Sequence, residues 1–174
     1  MMLEMRLRHM KFITFYLTLV ALMSAAQAQA PGNWTMKAPI PVARNEVALA
    51  AVAGKVHVIG GSVQGVAGIW HDEYDPAANS WTSGAPLPTA RSGVAYALYQ
   101  GLMLVLGGEL APNTFAENEA YDWKTATWRT LAPMPAGRHG TAAAVAGGRV
   151  YLAAGSLRPG SGQITDQLIV FHLP

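Results

Sequence analysis

The sequence predicts an all-β fold of repeated four-stranded antiparallel sheets, and three observations lead there. Eighteen glycines and eleven prolines punctuate a 174-residue chain that is 51% hydrophobic and 13% charged, the profile of short buried strands joined by tight turns. Trp34, Trp81 and Trp128 recur every 47 residues, and Arg44, Arg91 and Arg138 keep the same period. A period of this length marks a stacked repeat architecture. The glycines follow no three-residue period, which excludes collagen.

The chain opens on a segment that reads as an address. Basic residues between Arg6 and Lys11 precede an apolar run, Phe12 to Met23, broken only by Thr14 and Thr18, and Ala26-Gln27-Ala28 supplies small residues where a signal peptidase cuts. Residues 1–28 are therefore expected to be a secretory signal peptide and 29–174 the mature domain, periplasmic or secreted. An uncleaved anchor is the alternative, although the run is shorter than the roughly 20 residues of a spanning helix. No membrane span is expected after cleavage.

Each repeat then reads as four strands, in units of about 34–80, 81–127 and 128–174. The innermost strand, Asn45 to Ala53, Ser92 to Gln100 and His139 to Gly147, is rich in Ala, Val and Gly, suiting a crowded central axis. Gly54, Gly101 and Gly148 fit hairpin turns of positive φ. The second strand, Lys55 to Ile59, Leu102 to Leu106 and Arg149 to Ala153, is apolar on both faces, as in a sheet covered on both sides.

That strand ends at Gly60-Gly61, Gly107-Gly108 or Ala154-Gly155, where glycine is expected to admit a closely packed aromatic ring, the repeated tryptophan being the candidate. The third strand runs into Tyr74, Tyr121 or Phe171, the last displaced by a three-residue insertion. Polar turns from Asp75 and Asp122 lead back to Trp81 and Trp128, which open the outermost strand, followed by Pro-x-Pro segments. An outermost strand is likewise expected from Trp34 to Pro41.

Arginine, alternating strand, Gly-Gly pair, Tyr-Asp, polar turn, tryptophan and Pro-x-Pro together resemble the kelch repeat over nearly all of residues 34–174. The resemblance implies a kelch-type β-propeller with three four-stranded antiparallel blades, a distant relative of the periplasmic kelch sugar mutarotases and of the galactose oxidase-like superfamily. Propellers use four to eight blades, so three imply a partial ring. Either two copies form a six-bladed homodimer, or a missing half lies elsewhere because the chain is a truncated fragment.

Composition narrows the partners. Removing Arg6, Arg8, Lys11 and Glu4 from the totals of 12 basic and 10 acidic residues leaves nine of each, with no electrostatic footprint for nucleic acid. No cysteine is present, which removes disulfides, thiol nucleophiles and the Tyr-Cys copper centre of galactose oxidase. No cofactor is expected.

Candidate ligand-binding residues follow from the loops at one channel end. Arg44, Arg91 and Arg138 would offer guanidinium groups to a carboxylate or other anion, or instead satisfy loop carbonyls. The following positions vary between repeats, Asn45-Glu46, Ser92-Gly93 and His139-Gly140, with Glu46 and His139 the candidate general acid or base. Glu109 and Asn113 lie on the next loop. His57 is expected to pack between blades. His71 and Glu73 share one strand face while Asp72 takes the other, and no metal site is expected.

A non-catalytic module binding a protein or carbohydrate ligand is the leading expectation. A mutarotase acting on an acidic sugar is the alternative, with those arginines, Glu46 and His139 in its site.

Overall fold

The computed structural model describes residues 31–174, so the expected signal peptide, residues 1–28, lies wholly outside the described residues. The chain divides into two units, Met1–Met36 and Lys37–Pro174. In the first, residues 31–36 carry no strand and Trp34 is fully exposed. Among the described residues no helix is long and apolar enough to cross a membrane.

The second unit is built of blades. β1 (Ala48–Val52), β2 (Lys55–Ile59), β3 (Ser62–Val63), β4 (Val66–Ala67), β5 (His71–Asp75) and β6 (Ser80–Ser83) form the first, with β3 and β4 a small ribbon beside the sheet β1-β2-β5-β6. β7 (Ala95–Tyr99), β8 (Leu102–Leu106), β9 (Glu109–Leu110), β10 (Asn113–Thr114), β11 (Asn118–Asp122) and β12 (Thr127–Thr130) repeat that plan. β13 (Ala142–Ala146), β14 (Arg149–Ala153) and β15 (Leu168–Phe171) make a three-stranded third sheet. All pairings within the blades are antiparallel.

The second strands match the sequence reading residue for residue, and the innermost strands begin three residues later than expected. Asn45, Ser92 and His139 instead make isolated bridges to Ser62, Glu109 and Ser156, so the chain turns once more before entering the sheet. No strand forms at 34–41. Ala38 is nonetheless pinned to the first blade, accepting from the Trp81 indole at 2.9 Å and donating to Asn79 Oδ1 at 3.0 Å. Ala85 accepts from Trp128 in the same way, at 2.9 Å.

The Gly-Gly pairs serve a different neighbour from the one expected. A Cβ on Gly60 would stand 2.7 Å from the Arg91 carbonyl oxygen, and one on Gly61 2.7 Å from that of Asn45. The first glycine of each pair admits the backbone of the next blade and the second the entry loop of its own, and Gly61 and Gly108 donate to the carbonyls of Arg91 and Arg138 at 3.2 and 2.8 Å. The tryptophans pack on the tyrosines instead, Trp81 on Tyr74 and Trp128 on Tyr121 at ring distances of 5.0 and 5.1 Å. Aromatic pairs at such distances contribute about 0.5–1.5 kcal/mol beyond the area they bury.

Two apolar layers hold the blades face to face. Ala48, Ala50 and Ile59 meet Met103, Val105 and Tyr121 between blades one and two. Leu102, Leu104 and Leu106 meet Val150 and Leu152 between blades two and three. β8 therefore buries alternate side chains in opposite layers, and all five are buried.

Candidate functional site

The loops after the three arginines gather at one end of the blades. Glu46, Gly93 and Gly140 occupy equivalent positions with φ of 58°, 63° and 60°. The Gly93 amide donates to the Glu46 carbonyl and the Gly140 amide to the Gly93 carbonyl, both at 2.9 Å, stitching successive blades together. Glycine takes this left-handed backbone without penalty, whereas a side chain costs about 1–2 kcal/mol there. Only the first blade accepts that cost, and its side chain is a carboxylate.

Around Glu46 lies a cleft of about 280 Å³ lined by Asn45, Ser62, Ser92, Glu109 and Gly160 among others. Ser92 Oγ donates to Glu46 Oε2 at 2.7 Å. Glu109 Oε2 accepts from the Gly160 amide at 2.8 Å, and its Oε1 lies 3.3 Å from His139 Nδ1. His139 Nε2 is 2.9 Å from the Arg158 carbonyl oxygen, so both ring nitrogens are already engaged. Asn113, across the β9–β10 turn, is exposed and outside the cleft lining.

The arginines stand behind this cleft as clamps. Arg44 pairs with Asp72 at 2.7 Å and donates to the carbonyls of Gly60 and Val58. Arg91 pairs with Glu119 at 2.6 Å and donates to Val105. Arg138 donates to Gln167 Oε1 at 3.0 Å and to Ala154. Arg44, Arg91 and Arg138 have no exposed side-chain surface. Burial pushes the Arg91 and Arg138 guanidinium groups below the ordinary arginine value, with Glu119 opposing it at Arg91. Their terminal nitrogens are engaged by internal carbonyls and side-chain oxygens, Nε of Arg91 and of Arg138 has no partner, and none of the three is among the residues lining the cleft.

A second polar cluster sits between blades one and two. The β2–β5 register sets His57 opposite Glu73 and Ile59 opposite His71, so His57, His71 and Glu73 share one sheet face. His57 Nδ1 and His71 Nε2 are 2.9 Å apart, and His71 Nδ1 lies 2.8 Å from the Ala85 carbonyl oxygen. That carbonyl can only accept, so Nδ1 of His71 carries the proton and Nε2 presents its lone pair to His57. Burial lowers both histidine pKa values and raises that of Tyr121, with the nearby Glu73 carboxylate adding to the rise. His57 packs against Tyr121 across the blade boundary, as the sequence implied. These three side chains are the described residues that could hold a metal.

A family model for the kelch motif matches residues 90–135. A solved structure titled "Structure of YjhT" superimposes with a TM-score of 0.59 at 26% identity, covering 68% of this chain and 36% of that one. The chain thus spans about a third of that protein's length. No curated protein matches the chain. A kelch motif matched on the middle blade, repeated in register on either side and folded into antiparallel sheets packed face to face, gives the chain the fold of a partial kelch-type β-propeller.

Proposed function

We propose that the cleft around Glu46 binds a hydroxyl-rich ligand and that the chain works as an exported glycan-binding module. The observation that carries this reading is Glu46 itself, a carboxylate held on a left-handed backbone where both other blades have glycine. Non-glycine residues in that conformation cluster at functional sites. Glu46 and Glu109 offer acceptors to sugar hydroxyls, with Asn45 supplying both donor and acceptor. Charge-assisted bonds of this kind contribute about 1.5–3 kcal/mol each. With the guanidinium groups buried, a neutral glycan fits better than an acidic one. Export rests on the pattern of basic, apolar and small residues in 1–28.

A second reading, anomer interconversion by a mutarotase-like site, draws on the Glu109–His139 contact and on Glu46 as a proton acceptor. Titration calorimetry against neutral oligosaccharides and N-acetylneuraminic acid tests the first reading, and exchange between anomer signals in proton NMR tests the second. Glu46→Gly restores the residue of the other repeats and relieves the left-handed strain, so stability should rise by up to about 1–2 kcal/mol while neutral-glycan binding falls at least about tenfold. Unchanged binding in that variant removes the site. Accelerated anomer exchange abolished by Glu46→Gln would replace the binding reading with the catalytic one.

A further inference from the structure

We infer that His57, His71 and Glu73 form a site for a divalent transition-metal ion, zinc fitting best, at the boundary of blades one and two. Two imidazoles and a carboxylate are a ligand set for zinc and its borderline neighbours, leaving a coordination position for solvent. Their ligand atoms all lie within 4.8 Å of one another.

The neighbouring blade supplies an internal control. At the equivalent positions it carries Leu104, Asn118 and Ala120. Asn118 Nδ2 donates to the Ala132 carbonyl at 3.2 Å, the same bond that His71 Nδ1 makes to Ala85. An asparagine is therefore enough to anchor this strand to the following segment. Histidine keeps that bond and adds a second nitrogen aimed at His57, 2.9 Å away. A ring N–H fixed on a backbone carbonyl with the lone pair of the opposite nitrogen turned inward is the usual posture of a metal-bound histidine, and an ion would displace the proton that His57 Nδ1 now shares with His71 Nε2.

A fourth exchange makes room. Gly84 stands where blade two has Leu131, and a Cβ there would lie 2.6 Å from His71 Nδ1 and 3.0 Å from Glu73 Oε1. Lys55 Nζ holds Glu73 Oε2 at 3.0 Å, so Oε1, 3.9 Å from His57 Nδ1, is the oxygen free to turn inward. Metal bonds of about 2.0–2.2 Å require it to close by about 1 Å, within reach of a glutamate side-chain rotation. Both imidazoles are 3% exposed, and the ion would enter past Glu73 and Lys55, whose side chains are 16% and 42% exposed. An ion here would brace β2 against β5 beneath Tyr121 and Trp128, whose rings lie 4.7 and 6.0 Å from His71.

The test uses the full chain, stripped with a chelator and titrated with zinc chloride by calorimetry and with cobalt(II) chloride by visible absorption. One ion should bind per chain, the cobalt form should show visible bands, and zinc should raise the unfolding temperature. His57→Leu, His71→Asn and Glu73→Ala each install the residue of blade two, which keeps that sheet folded. Each should weaken binding at least about tenfold, the least that even an outer-shell change costs, and abolish the zinc-dependent thermal shift. Absence of saturable uptake of either ion overturns the site, as does uptake unchanged in His71→Asn, which would assign the ion to other histidines.

Discussion

Arg91 and Glu119 meet 2.6 Å apart with side chains 0% and 4% exposed, and Thr89 donates to the other carboxylate oxygen at 2.7 Å. Removing one member of such a pair leaves a buried charge without compensation, which costs about 3–5 kcal/mol. Arg91→Ala should lose that much stability in urea denaturation. Glu119→Gln should lose less, because Gln167 already serves Arg138 as a neutral acceptor. Equal losses in the two variants would show that hydrogen bonding to the guanidinium contributes little. The sequence made the recurrence of arginine visible but not its direction, since a spacing records where a side chain starts and not where it ends. Glu46 was legible in part, since Glu, Gly, Gly at 46, 93 and 140 marks a backbone that favours glycine.

At the scale of one strand, β8 shows why parts of the fold could be read directly. Five consecutive apolar residues between a turn glycine and a Gly-Gly pair leave no other register, and the strand falls where the pattern put it. The innermost strands were less legible, because their first residues bond across to the loop after β2, β8 or β14, a long-range pairing that no local pattern carries. The His57–His71 contact was hidden for the same reason: alternation places His71 and Glu73 on one face, but only the β2–β5 register brings in His57. Leu104 is fully buried between blades two and three, so Leu104→Ala should cost about 2–5 kcal/mol. Leu168→Ala, at a side chain 63% exposed, should cost under about 1 kcal/mol. Comparable losses would mean that Leu168 is covered in solution.

The whole unit carries a sheet face that its own repeat identifies as a packing surface. In blade two, Ala95, Ala97, Leu102, Leu104, Leu106 and Ala120 are buried by blade three. Their equivalents in blade three, Ala142, Ala144, Arg149, Tyr151, Ala153 and Val170, are exposed or half-exposed. The layer that covers such a face presents residues like Val150 and Leu152, which are fully buried, and blade one carries Val56, half-buried, and Val58, already buried within the chain, at the matching positions. Two copies of this chain in a ring would set blade three of each against blade one of the other. Light scattering coupled to size exclusion should read two chains per particle. Val170→Lys, which puts a charge on the exposed face at a site 49% open, should return the particle to the mass of one chain without lowering its strand-rich circular dichroism. A wild-type mass of one chain would reject pairing of two copies and leave the face to blades supplied by another polypeptide.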